Sequence, residues 1–62
     1  MPLINVKATD FRFEDPDANA RLVKVLTDAI CSEFGEDIRE KTWVILEGVG
    51  KSEWGFGGKV KK

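Results

Sequence analysis

Residues 3–9 alternate in character. Ile4, Val6 and Ala8 share one face with Pro2 just ahead of them, while Leu3, Asn5, Lys7 and Thr9 share the other. A period of two with β-branched residues predicts a strand from Leu3 to Thr9. Asp10 to Glu14 is then a connection that carries Arg12 between Phe11 and Phe13. Asp15 suits an N-cap, with Pro16 at the first helical position and Asp17 close behind. From Pro16 to about Phe34 the apolar positions are Ala18, Leu22, Val23, Val25, Leu26, Ala29, Ile30 and Phe34. Their i, i+3, i+4 spacing predicts an amphipathic helix with Arg21, Lys24, Asp28 and Ser32 mostly outside. Gly35 is the natural residue to end it.

Glu36 to Lys41 is a charged connection, and Thr42 to Glu47 reads as a second strand. Its Trp43-Val44-Ile45-Leu46 run is apolar on both faces, as in strands covered from both sides. Two strands joined through a long helical crossover are expected to be parallel and right-handed. The helix covers one face of that pair, so the other face must meet another subunit. Gly48 to Lys62 holds five of the six glycines, and Trp54-Gly55-Phe56-Gly57-Gly58 predicts a short hairpin whose aromatics pack on something. A phosphate cradle is a poor reading of these glycines, because no helix follows them. The expected fold is α+β: one domain over residues 1–62, built of a β-α-β unit with parallel strands and a short C-terminal β-hairpin.

Composition narrows the picture. The chain has 62 residues, 42% of them hydrophobic, with two tryptophans and four phenylalanines. A chain of this size buries only about 60% of the surface that it exposes when unfolded. One cysteine allows no internal disulfide, and the absence of histidine argues against zinc. No cofactor motif is present. Oligomerisation is the remaining way to cover the apolar surface. Ten basic and eleven acidic residues give a net charge of −1, and the only basic cluster is the tail, Lys59, Lys61 and Lys62. A solvated terminus explains that tail, and nucleic acid is not an expected partner. No apolar run approaches a membrane span, and Asn5, Lys7 and Asp10 interrupt any leader pattern. A single thiol without an export signal suits the cytoplasm.

Candidate chemistry is scarce. Removal of Met1 would make Pro2 the amino terminus, a secondary amine on a fixed ring. Apolar or cationic surroundings disfavour the charged form of an amine, which turns it into a base usable near neutrality. The bland alternative is a proline that merely starts an edge strand. Cys31, late in the helix and without a basic neighbour in sequence, reads as a packing residue rather than a nucleophile.

Pro2 at the start, Arg12 after the first strand and Trp54-Gly55-Phe56-Gly57-Gly58 after the second form an ordered set in a very short chain. In this the sequence resembles the 4-oxalocrotonate tautomerase family over nearly its whole length. The resemblance implies that Pro2 shuttles a proton between two atoms of a small enol or dienol carboxylic acid. It implies that Arg12 holds the substrate carboxylate, and that Trp54 stands where the family has an aromatic pocket wall. The family's second arginine, at the head of the second strand, is replaced here by Trp43. The resemblance therefore implies proline-based proton transfer with Trp43 as a further pocket wall, rather than the reaction that names the family. Arg39, four positions earlier, reads as part of a solvated mixed-charge turn, not as a replacement. The resemblance also implies dimers with a four-stranded sheet and two helices, assembled into a homohexamer (a trimer of dimers) with sites between subunits. Residues 53–60 are expected to contact a neighbour. Two alternatives stay open. One is a non-catalytic subunit or a hetero-oligomer partner. The other is a hydratase or dehalogenase variant in which Glu53 or Glu47 activates water.

Overall fold

A computed structural model describes residues 2–60. Strand β1 (Leu3–Thr9) leads through a 3₁₀ turn (Asp10–Phe13) into helix α1 (Pro16–Phe34). A second 3₁₀ turn (Glu36–Lys41) leads into strand β2 (Trp43–Val49). A third (Lys51–Glu53) precedes the hairpin strands β3 (Gly55–Phe56) and β4 (Lys59–Val60). β1 and β2 are parallel and in register from Leu3 opposite Trp43 to Thr9 opposite Val49. The β-α-β unit and the antiparallel hairpin expected from the sequence are both present.

Local chemistry accounts for the boundaries. The Asp15 side chain accepts a hydrogen bond from the Asp17 N–H at 3.0 Å, which satisfies one free donor of the first helical turn. The Asn19 amide donates to the Phe13 carbonyl at 2.9 Å and ties the preceding turn to the helix. At the other end, Gly35 takes a φ of 105° and donates its N–H to the Cys31 carbonyl. That region of backbone space strains any residue with a Cβ. β2 starts one residue later than the pattern suggested and runs two residues further. The Thr42 hydroxyl is engaged by the Ile38 carbonyl at 2.9 Å, closing the turn before the strand. At the far end, Gly48 and Val49 pair with Ala8 and Thr9, although Gly48 gives no hydrophobic signal. In the hairpin, Gly57 (φ 55°) and Gly58 (φ 86°) supply the two positive angles that a tight two-residue turn demands.

One layer of side chains is covered and the rest are not. Ile4, Val6 and Ala8 on β1, with Val44 and Leu46 on β2, are half-buried between sheet and helix. Cys31 and Thr9 are the only buried residues among those described, and Cys31 is 3% exposed, as a packing residue should be. The helix departs from expectation in that Val25, Ala29 and Phe34 are exposed. Two strands make a strip narrower than the apolar arc of the helix, and Phe34 is its last residue. The open sheet face exposes Leu3 (58%), Trp43 (56%) and Ile45 (43%). The radius of gyration is 14.3 Å, against about 11 Å for a compact domain of this length. The shortest dimension of the chain is only 14 Å. Such a slab encloses little core. No helix among the described residues is long and apolar enough to cross a membrane.

Arg39 is more engaged than a solvated turn residue. Its Nε and Nη2 donate to the two carboxylate oxygens of Glu36 at 2.9 and 3.1 Å, and its Nη1 donates to Asp28 at 2.8 Å. Asp28 also receives Lys24 at 2.8 Å. Arg39 thus clips the turn before β2 onto α1. Hydrogen bonds from Lys24 and then Arg39 hold the Asp28 carboxyl below its ordinary range, and the bond from Arg39 does the same for Glu36. Because both folded-state values lie below the unfolded ones, their contribution is present above the ordinary carboxylate range. It is lost as pH falls through the lowered folded values. Arg39→Ala is expected to lower the melting temperature by a few degrees at pH 7, since exposed pairs contribute little each but three donors act here together. Thermal melts from pH 7 down to about pH 2 should show the gap between wild type and variant closing with acidification. A gap that persists unchanged would show that the ion pairs with Asp28 and Glu36 are not its source.

Candidate active site

Parallel pairing puts both strand starts at one end of the sheet and both exits at the other. Pro2 lies at the start, where its carbonyl accepts the Trp43 N–H at 3.0 Å. The ladder thus extends to the residue before β1 and fixes Pro2 beside the head of β2. Leu3 opposite Trp43, and Asn5 opposite Ile45, make the open face next to Pro2 mainly apolar. Pro2 itself is half-buried.

Arg12 lies at the other end, in the turn that follows β1. That turn folds closely over the end of β2. A Cβ built on Gly48 would stand 3.0 Å from the Asp10 Cα, so a side chain there would push the turn away. The close approach sets the Phe11 ring between two chain segments. The Arg12 guanidinium carbon lies 4.8 Å from the ring centroid, and the Lys51 ammonium 5.9 Å. Trp54 is half-buried at this same end and donates its N–H to the Lys51 carbonyl at 3.2 Å.

The four residues singled out in the sequence therefore separate into two pairs: Pro2 with Trp43, and Arg12 with Trp54. The seven residues of β1 stand between the pairs, which at about 3.3 Å per residue is roughly 20 Å. One chain does not bring Arg12 over its own Pro2, and no pocket forms on the single chain among the described residues. Arg39 is no substitute for the arginine missing at Trp43, because its guanidinium is committed to Glu36 and Asp28. Glu47 sits on the open face opposite Lys7 and accepts the Asn5 amide at 3.5 Å, away from the Pro2 end. Glu53 lies in the third 3₁₀ turn, with its carboxylate against Gly50.

Sequence reasoning did not find the part played by Lys51, nor the role of Phe11 as a shared platform. The Phe-Arg-Phe run hints at an aromatic neighbour for the arginine, but no local spacing links it to Lys51. No curated protein matches the chain. A family model described as "Tautomerase enzyme" matches residues 2–62, from the proline to the last residue. With that match spanning Pro2, Arg12 and the glycine-rich hairpin alike, the chain belongs to the tautomerase family.

Proposed function

We propose that this chain, once Met1 is removed, is a tautomerase that uses the Pro2 amine to move a proton within a small enol or dienol carboxylic acid. The observation that carries the reading is the placement of Pro2. It is fixed by the Trp43 N–H at the edge of an apolar surface, in a chain of a family of isomerase type. The neutral ring nitrogen takes a proton from one position of the conjugated acid and returns it at another, so nothing is consumed. Leu3 and Trp43, exposed on the single chain, would be covered by a neighbouring copy and so give that nitrogen surroundings that disfavour its charged form. Arg12 receives the substrate carboxylate, a task that its planar fork suits. Trp54 and Trp43 wall the pocket, and no cofactor takes part.

Because Pro2 and Arg12 lie at opposite ends of one sheet, the site on this reading is completed by a neighbouring copy. Members of the family are small oligomeric proteins, and a homohexamer built from three dimers fits the exposed face. In each dimer two of these units would form a four-stranded sheet with two helices, and residues 53–60 would contact a neighbour. A cytoplasmic location accords with the lone thiol. One feature favours a second reading: on the family likeness Trp43 takes the position of an arginine that stabilises the developing enolate, a loss that typically costs about 10²–10³ in rate. A non-catalytic subunit, or one that needs a different partner chain, would follow if the purified homo-oligomer were inactive.

Three outcomes are expected. With Met1 absent by mass spectrometry, Pro2→Ala should lower kcat/KM for phenylenolpyruvate by about 10²-fold or more, the scale of a positioned general base. Equal activity in variant and wild type would remove Pro2 from the mechanism. Arg12→Ala should raise KM for the same acid about tenfold, as expected for a lost bond to a charged group, and a silent Arg12→Ala would overturn its assignment. Trp43→Asp combined with Ile45→Asp should convert the oligomer to smaller species in sedimentation velocity, since both side chains lie on the open face. An unchanged sedimentation coefficient would place the subunit contact elsewhere.

A further inference from the structure

We propose that Lys7 and Glu47 form a charge lock on the open sheet face. The lock makes a second copy of this chain the occupant of that face and sets how the two copies align. It acts on assembly rather than on the reaction, so it goes beyond the proton-transfer reading and its test needs no turnover.

Three observations carry it. First, the open face is built in rows that run across the two strands. Leu3 lies opposite Trp43, Asn5 opposite Ile45 and Lys7 opposite Glu47, and all six residues are exposed. Successive rows stand about 6.6 Å apart, two residues at about 3.3 Å each. The face thus grades from an apolar row beside Pro2 to a row with one positive and one negative charge. Second, those two charges are uncommitted. Neither Lys7 nor Glu47 forms an ion pair among the described residues, whereas Lys24, Asp28, Glu36 and Arg39 all do. The Asn5 amide reaches the Glu47 carboxylate only at 3.5 Å, the long limit of a hydrogen bond.

Third, the face is self-complementary. A two-fold axis along the strands lays a second copy over it with the strand directions kept and the strand order exchanged. Packed sheets keep their strands within about 30° of each other, so this alignment is an ordinary one. Each row then meets its counterpart: Leu3 faces the partner's Trp43, Lys7 faces the partner's Glu47, and the same symmetry forms the reciprocal pairs. A slip by one row would set Lys7 against the partner's Ile45 and Glu47 against the partner's Asn5. Covering a charge without its opposite is strongly disfavoured, whereas two opposite charges covered together largely offset that cost. The charged row therefore fixes a register that apolar contact alone would leave free. A chain of different sequence would have to reproduce the same row, which favours copies of this one. A trimer of dimers has more than one kind of contact, and this one need not be the contact that brings Arg12 to another copy's Pro2.

The test is sedimentation velocity at low salt on the full chain in wild-type, Lys7→Glu, Glu47→Lys and doubly exchanged forms. Each single variant carries two like charges on the row, so its concentration for half-assembly should rise about tenfold or more. An equal mixture of the two single variants joins a negative row to a positive one. Half-assembly in that mixture should return to within about threefold of wild type. The doubly exchanged chain should assemble with itself as wild type does. Arg21→Glu and Glu33→Lys change the net charge by the same amounts at exposed helix positions, and each should assemble like wild type. A mixture that sediments as the sum of the separate single variants would overturn the lock, as would a monomeric wild type. The same loss and rescue from the helix pair would assign the effect to net charge and overturn it too.

Discussion

Two strands that run in the same direction cannot present their starts and their exits at the same place. The ladder from Leu3 opposite Trp43 to Thr9 opposite Val49 makes this constraint rigid. Whatever enters the sheet, Pro2 and Trp43, is held a strand length away from whatever leaves it, Arg12, Lys51 and Trp54. A hairpin would have joined those ends through a short turn, whereas a parallel pair needs a crossover, supplied here by the 19 residues of α1. The same connection leaves one sheet face covered and one bare. The division of the candidate site and the demand for a partner copy thus share one cause.

The bare face is not uniform. Near Pro2 it carries Leu3, Trp43 and Ile45, while further along it carries Lys7 and Glu47. Apolar burial would drive association most strongly at the Pro2 end, where exclusion of water would also serve the neutral amine of the proposed mechanism. At the exit end the chemistry is opposite, because the cations of Arg12 and Lys51 lie within 4.8 and 5.9 Å of the centre of the exposed Phe11 ring. On the proposed function, an apolar end with the base and a cationic end that receives the acid are complementary when they come from different chains. Assembly and catalysis on this account draw on the same surfaces, so loss of one is expected to weaken the other.

Much of the fold was legible because its signals are local. Asp15, Pro16 and Gly35 announce the helix ends through capping chemistry that needs no knowledge of the rest of the chain. Gly57 and Gly58 announce the hairpin turn through their positive φ angles in the same way. The strand alternation at Ile4, Val6 and Ala8 was readable from period alone. What stayed hidden depends on distant contacts. Asp28 and Arg39 are eleven positions apart and meet only because the turn folds back on the helix. Lys51 reaches Phe11 only once β2 is laid beside β1. Val25 and Ala29 fit the helical period, and their exposure depends on how narrow the sheet beneath them is. The residues of the candidate site were readable as a set, through the family likeness now matched over residues 2–62. Their separation into two ends was implied by the parallel pairing that the long crossover predicts, but its length was set only by the ladder from Leu3 opposite Trp43 to Thr9 opposite Val49.

The central claim is that each site takes Pro2 from one chain and Arg12 from another. Mixed oligomers test it directly. Pro2→Ala chains, nearly inactive, and Arg12→Ala chains, weakened about tenfold in kcat/KM, are unfolded together in equal amounts and refolded, and kcat/KM for phenylenolpyruvate is measured at low substrate. If each site draws on two chains, about a quarter of the sites in the mixture regain both residues from random assembly of a symmetric oligomer. Activity should then rise to about that fraction of wild type. Activity no greater than the average of the two separate variants would contradict a shared site.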